Sequence, residues 1–428
     1  MSEQIAAQGL DSLVLSDIAH VEMGQSPDSR YVVEDPSAGL PFLQGNAEFG
    51  AVNPEPKFGC LRPVKTCKAN DVLISVRAPV GAVNLADRDY CIGRGLAAIR
   101  GRGIKPSLLS EVVARQSSAL RRVAQGTTFE AISKNDLLTL KLSLPPRTDW
   151  PKIAQVLDTL DTAIHETEAI IAKLKAVKQG LLHDLLTRGI DANGELRPLQ
   201  SEAPHLYKPS PLGWIPKEWD YGRLAEKLGV FGGKRLPAGH AYADRPTAFK
   251  YLRVTDFFER DYRLDELENL HERTFKALER YEIRSGQLFI SIAGSLGYVG
   301  VHRADESEGV RTILTENAAR LVPLCELVPE FVAAYMNSNR VQSQVTAEKG
   351  TGGGVPKLAL FRIEQFWLAW PDKNEQEQIA MRIRAVNDRV QRDVQSLQKL
   401  RLEKAGLMDD LLTGRVRVTP LLQEAQHA

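Results

Sequence analysis

The segments "GLLHDLLTRG" (Gly180 to Gly189) and "GLMDDLLTGR" (Gly406 to Arg415) are nearly the same phrase written twice in one chain. Extended backwards at one constant offset, the match pairs Ile153 with Ile379, Leu174 with Leu400 and Pro145 with Pro371. Further upstream "VLISVRAPVGAV" (Val72 to Val83) resembles "LFISIAGSLGYV" (Leu288 to Val299), and "LSDIAHVEMGQSP" (Leu15 to Pro27) resembles "LAEKLGVFGGKRLP" (Leu224 to Pro237). The marks keep their order while the offset drifts, as insertions in loops make it drift. The chain is therefore a tandem duplication of a unit about 200 residues long, a domain plus an attached element rather than a solenoid repeat.

The attached element is a long helix. From Ile153 a 4-3-4-3 walk lands on Leu157, Leu160, Ile164, Thr167, Ile171, Leu174, Lys178, Leu181 and Leu185. The same walk from Ile379 meets Ile383, Val386, Val390, Asp393, Leu397, Leu400, Lys404, Leu407 and Leu411. That is an a/d seam in each copy, with polar interruptions at matching places. Each helix spans roughly 36 residues, about 54 Å, which is longer than a small domain needs. Either each helix caps its own domain or the two pair; the length favours a paired rod, and a pseudo-twofold axis makes that pairing antiparallel. The expected seam contacts are Leu157, Ile164, Ile171, Leu174 and Leu181 against Ile383, Val390, Leu397, Leu400 and Leu407, with Ile164, Ile171, Leu174, Val390, Leu397 and Leu400 buried between the helices.

The fold class expected is α+β: two pseudo-symmetric α/β domains separated by two long helices that form an antiparallel coiled coil. The boundaries read as 1–148 for the first domain, 149–188 for the first helix, 189–214 for a proline-marked linker, 215–372 for the second domain, 373–414 for the second helix and 415–428 for a tail. Pro198, Pro204, Pro209 and Pro211 exclude a helix continuing through the linker.

At 428 residues with 43% apolar and 25% charged residues the chain is ordinary globular protein, and its net charge of +1 is neutral on nucleic-acid binding. Cys60, Cys67, Cys91 and Cys325 form no Cys-x-x-Cys pair, so reduced thiols are expected. The opening "MSEQIAAQGL" has no basic and apolar leader, and no apolar run approaches a membrane span, so a cytoplasmic protein is expected.

Catalytic motifs are missing from the sequence. "GVFGGKR" ends in Arg235 where a phosphate-binding loop needs a hydroxyl, and "GTGGGVPK" (Gly350 to Lys357) reads as a turn or a DNA-backbone loop. Asn/Asp-Pro-Pro-aromatic tetrapeptides, methyl-donor glycine loops and zinc spacings are absent, and Glu55-Pro56-Lys57 is an isolated tripeptide. No catalytic or metal-binding residue is assigned. The stretch from Arg94 to Arg122 is basic: Arg94, Arg100, Arg102, Lys105, Arg115, Arg121 and Arg122 stand against Glu111 alone. It reads either as a phosphate-facing patch or as the solvated face of a helix.

The two-copy plan, "SPLGWIPKEW" (Ser210 to Trp219), the run from Leu144 to Thr187, "NEQEQIA" (Asn374 to Ala380) and "LMDDLLTGRV" together resemble the specificity subunits of type I restriction-modification systems. The first copy departs from the pattern in lacking a "LGWIP" entry and in carrying "RTDWPKIA" where a Glu-Gln dipeptide is usual. The resemblance implies two target recognition domains, each reading one half of a bipartite double-stranded DNA sequence, with the helices setting the spacing. It implies docking of two methyltransferase subunits and of motor-nuclease subunits. S-adenosylmethionine, ATP and magnesium belong to those partners, and this chain holds no cofactor. The expected DNA contacts are polar or basic residues of glycine-marked loops: Gln44, Asn46, Arg77, Arg94, Thr127 and Lys134 in the first copy, Arg253, Thr255, Arg303, Lys349 and Lys357 in the second. A coiled-coil scaffold without DNA binding and a nuclease with its own active site are the two other classes.

Overall fold

The computed structural model describes residues 10–125, 131–257, 266–304, 309–348 and 357–418. Two compact units share the chain, and each long helix is divided between them: residues 1–170 with 394–428, and residues 171–393.

In the first unit the strands are β1 (Asp11–Val14), β2 (Ala19–Met23), β3 (Val32–Val33), β4 (Leu40–Leu43), β5 (Phe58–Cys60), β6 (Thr66–Cys67), β7 (Val72–Ser75), β8 (Val83–Leu85), β9 (Tyr90–Ile92), β10 (Leu96–Gly101) and β11 (Lys141–Leu144). They form a β1-β11 ribbon, a sheet in the order β2-β10-β7-β8 and a sheet in the order β3-β5-β4-β9-β6. Strand β7, "VLIS", is buried at every position, as a central strand covered on both faces must be.

The second unit adds β12 (Tyr207–Ser210), β13 (Gly213–Pro216), β14 (Asp220–Arg223), β15 (Leu228–Gly232), β16 (Phe249–Leu252), β17 (Glu268–Asn269), β18 (Glu282–Ile283), β19 (Leu288–Ser291), β20 (Val299–Val301), β21 (Arg311–Leu314), β22 (Ala318–Pro323) and β23 (Trp367–Trp370). Its sheets repeat the plan: β14-β23 is the ribbon, β15-β22-β19-β20 the first sheet and β17-β16-β21-β18 the second. In each second sheet one parallel pair stands among antiparallel neighbours, β4 with β9 and β16 with β21. A helix with proline at its first turn follows the central sheet in each unit, Pro106–Arg115 and Pro329–Met336.

The duplication extends to single hydrogen bonds. Ser75 Oγ accepts from the Ala82 N–H and donates to the Pro79 carbonyl. Ser291 Oγ accepts from the Tyr298 N–H and donates to the Ser295 carbonyl. At the start of the first long helix Trp150 Nε1 donates to the Pro145 carbonyl at 2.9 Å; at the start of the second, Gln376 Nε2 donates to the Pro371 carbonyl at 2.9 Å. The unusual "RTDWPKIA" therefore closes its helix entry with the same bond, made by an indole in place of an amide.

The long helices run Trp150–Thr187 and Lys373–Leu412. Their pairing is antiparallel within each unit. In the first, Ile153, Ala154 and Leu157 share a core with Met408, Leu411 and Leu412, and Lys404 reaches Asp161 at 2.7 Å. In the second, Leu185 and Leu186 share a core with Ile379 and Ala380. None of the a/d positions is exposed, but burial is graded: Leu157, Ile171 and Leu397 are buried, whereas Ile164, Leu174, Leu181, Ile383, Val390, Leu400 and Leu407 are half-buried. Full burial of Ile164, Leu174, Val390 and Leu400 is thus corrected. A two-helix seam covers only one side of most side chains: the a/d positions buried to 2% exposure or less lie in the sheet-backed cores at the helix ends, whereas mid-helix Ile171 and Leu397 keep 7% and 9%. The polar seam residue Lys404 is satisfied by Asp161 and by Glu111 at 2.7 Å.

The grading gives an expected outcome. Leu157→Ala, 1% exposed, should cost about 2–5 kcal/mol. Leu174→Ala should cost roughly 1 kcal/mol, because solvent already reaches that side chain. Urea denaturation of the two variants checks the order, and a Leu174→Ala cost at or above that of Leu157→Ala would contradict it.

The expected linker, 189–214, is a packed part of the second unit. Ile190 bridges to Leu196, β12 pairs with β13, and the Arg197 side chain is buried against Glu375. All four cysteines are free thiols, and burial pushes Cys67 and Cys91 up to about 12.

Candidate nucleic-acid interface

One rim of each unit is built from loops tied together by main-chain hydrogen bonds. In the first unit the N–H of Gly24 donates to Leu96, Gln25 to Ile92, Gly93 to Leu43, Val76 to Gly95 and Ile132 to Val76. In the second, Gly233 donates to Ala318, Lys234 to Leu314, Thr315 to Leu252, Ile292 to Asn317 and Leu358 to Ile292. The five bonds correspond one to one. They hold the loops after β2, β4, β7 and β9 of the first unit and their counterparts in the second, together with Ile132 and Leu358, beside the end of the parallel pair. Glycine is required where the first loop crosses the β9–β10 turn: a Cβ on Gly24 would lie 2.1 Å from the Gly93 oxygen, and one on Gly233 2.0 Å from the Thr315 oxygen.

The side chains on this shared frame differ. Gln44, Arg77, Arg94 and Lys134 are exposed on the first rim, and Asn46 is half-buried at the start of a short 3-10 turn, Asn46–Glu48. Arg77 bridges through its backbone to Ala131, and Lys134 opens a short helix capped by Ser133. On the second rim Thr255 and Lys357 are exposed, and Lys357 bridges to Ala293 as Ala131 does to Arg77. Arg253 is half-buried and already engaged by Asp256 at 2.7 Å and Glu268 at 2.6 Å. Arg303 stands away from the rim, past the far end of β20, and pairs with Glu330 at 3.1 Å. Thr127 and Lys349 lie outside the described residues.

Gln25, Ser26, Lys234, Arg235, Glu316 and Asn317 also stand on the rims without having been singled out from sequence. The signal was present: the matched runs Leu15–Pro27 and Leu224–Pro237 carry the first two pairs just after the crossing glycine.

The basic run resolves differently. Arg100 makes a bidentate pair with Asp71 at 2.8 and 2.7 Å, Lys105 meets Asp158 at 3.1 Å and Arg115 meets Asp409 at 2.6 Å. Arg121 and Arg122 each hydrogen-bond a carbonyl of their own helix. Three of the seven charges are neutralised by carboxylates, so the run is not one phosphate-facing patch. Among the described residues no group of three or more His, Cys, Asp or Glu could hold a metal ion.

Comparison with known proteins bears on this architecture. Residues 14–176 match the family model of the type I restriction modification DNA specificity domain. The putative type I restriction enzyme MjaX specificity subunit of Methanocaldococcus jannaschii is 37% identical over 167 residues, covering 39% of this chain and 39% of that protein. The match thus spans well under half of that relative's length. The MjaVIII specificity subunit of the same organism is 20% identical over 325 residues, 72% of this chain and 69% of its own length. The solved type I restriction-modification S subunit of M. genitalium has the same fold, with a TM-score of 0.60 over 94% of this chain and 96% of that one at 14% identity. The first copy thus matches the type I restriction modification DNA specificity domain, and the chain as a whole, with its duplicated α/β units and antiparallel helix pairing, shares the fold of that solved S subunit.

Proposed function

We propose that the chain is the sequence-reading subunit of a type I restriction-modification complex, each unit selecting one half of a bipartite double-stranded DNA target. The observation that carries this reading is the pair of rims. One main-chain frame is written twice with different polar side chains, which is what two readers of different half-sites need. Base edges in the major groove are distinguished by donor and acceptor patterns, so changing side chains on a fixed frame changes the sequence selected.

In this reading the helix pair sets the gap between half-sites and offers the same docking surface twice, once for each of two methyltransferase subunits, with motor-nuclease subunits joining them. Adenine methylation extrudes the base into a partner's pocket. S-adenosylmethionine, ATP and magnesium accordingly sit with the partners, and this chain is non-catalytic and places them. No described helix is long and apolar enough to cross a membrane, and we assign the complex to the cytoplasm, where the DNA is.

The test is selection of the full chain, with its methyltransferase partner, on a random duplex library read by sequencing. The expected result is an interrupted two-part site bound with salt-dependent affinity. Exchanging residues 11–148 for the matching domain of a relative should rewrite one half alone. A chain that binds no DNA is a scaffold, and magnesium-dependent cutting by the isolated chain would make it a nuclease; either result ends this reading.

A further inference from the structure

The two rims carry opposite charges at one equivalent position. Arg94 follows Gly93, whose N–H donates to the Leu43 carbonyl at the end of β4. Glu316 follows Thr315, whose N–H donates to the Leu252 carbonyl at the end of β16. The residue facing this position is matched as well, since Ser26 stands two residues after Gly24 and Arg235 two after Gly233. Ser26 Oγ accepts from the Arg94 N–H at 3.3 Å and from Gln44 Nε2 at 3.3 Å. Arg235 Nε lies 3.8 Å from Glu316 Oε1. The same two positions are therefore in contact in both units, through the Arg94 main-chain N–H in the first and between side chains in the second.

Each side chain is presented in a way that suits base reading. The Arg94 side chain is exposed, and its neighbour Ser26 takes only its main-chain N–H, leaving the guanidinium fork clear of that contact. Glu316 is held: Thr315 Oγ1 donates to its Oε2 at 3.1 Å, and Tyr251 Oη, which hydrogen-bonds the Lys234 carbonyl at 2.8 Å, lies 3.4 Å from the same oxygen. A bare carboxylate beside DNA is repelled by phosphates. Arg235, its side chain 77% exposed, offsets that repulsion and leaves the carboxylate able to accept from an amino group. In the major groove guanine offers two acceptors, O6 and N7, which suit a guanidinium fork, and cytosine offers the N4 amino donor, which suits a carboxylate.

We propose that this shared rim position is specificity-determining and selects opposite members of a G·C pair, guanine through Arg94 in the first unit and cytosine through Glu316 in the second. The proposal rests on the reading of the rims as DNA-facing and adds to it which residues choose and which bases they choose.

The experiment is library selection with the full chain and its Arg94→Glu and Glu316→Arg variants. Arg94→Glu should exchange guanine for cytosine at one position of one half-site, and Glu316→Arg should do the reverse in the other half. The preference at that position should change roughly 5- to 150-fold, the range of one good base contact. Should charge reversal lower the melting temperature, Arg94→Gln and Glu316→Gln keep the size and relax the preference at the same positions. Variants that select the wild-type site unchanged overturn the proposal. So does a uniform loss of affinity for all sequences with a shallower salt dependence, which would put these side chains on phosphates. If the wild-type chain selects no sequence, the DNA reading itself fails; if it selects a two-part site that both variants retain, only this inference fails.

Discussion

Arg197→Met should destabilise the second unit by about 3–5 kcal/mol, because it leaves a buried carboxylate without its cation. Arg197 and Glu375 are 6% and 7% exposed at their side chains. Arg197 Nη1 donates to Glu375 Oε1 at 2.6 Å and Nη2 to Oε2 at 3.1 Å, while Glu375 Oε1 also accepts the Ile190 N–H at 2.7 Å. Glu218 takes a further bond from Nη2, and the Arg188 carbonyl one from Nη1 at 3.2 Å. These contacts clasp the end of the first long helix, the segment after it and the start of the second. Gly189, at φ +65°, is part of the clasp: a Cβ there would lie 2.2 Å from Glu375 Oε1 and 2.7 Å from the Trp219 ring. The double variant Arg197→Met, Glu375→Met should recover much of the loss, since a buried pair is often replaceable by apolar side chains of similar size. Urea unfolding followed through the buried Trp219 and Trp370 measures both; an unchanged midpoint for Arg197→Met would show that the pair does not hold this junction.

On the proposed reading of a two-part target spaced by the helix pair, inserting one heptad into each long helix at once, between Ile170 and Ile171 and between Asp393 and Val394, should lengthen the preferred gap between half-sites by about three base pairs. Seven residues add about 10 Å of helix and keep the a/d seam nearly in phase. The rise per base pair is about 3.4 Å. The insertion belongs in the middle of the helices and in both together. After Thr187 it would break the Ile190–Glu375 bond, and in one helix alone it would shift the seam against its partner. Selection on a spacer-randomised library reads the gap. Retention of the original spacer at full affinity would show that something other than the helix pair sets the distance.

The sequence by itself determined the duplication, the long helices and their seam. These are periodic or repeated features: every a/d position from Ile153 to Leu185 and from Ile379 to Leu411 is buried or half-buried, including the polar Thr167, Asp393, Lys178 and Lys404. Only the tertiary structure decided which partners the charged residues take. Asp71, Asp158 and Asp409 quench a run that looked basic because each is distant in sequence from the arginine or lysine it meets. It also decided that the proline-marked segment after Gly189 is a clasp, since a buried arginine reads in sequence like any exposed one. The rim positions followed the same rule. Arg94 and Glu316 are equivalent because Gly93 and Thr315 bond to the same strand end, and loop insertions had erased that equivalence from the spacing. Periodicity is a local property of a helix or strand, whereas the choice of a charge partner or of a loop neighbour is made by the fold across the whole unit.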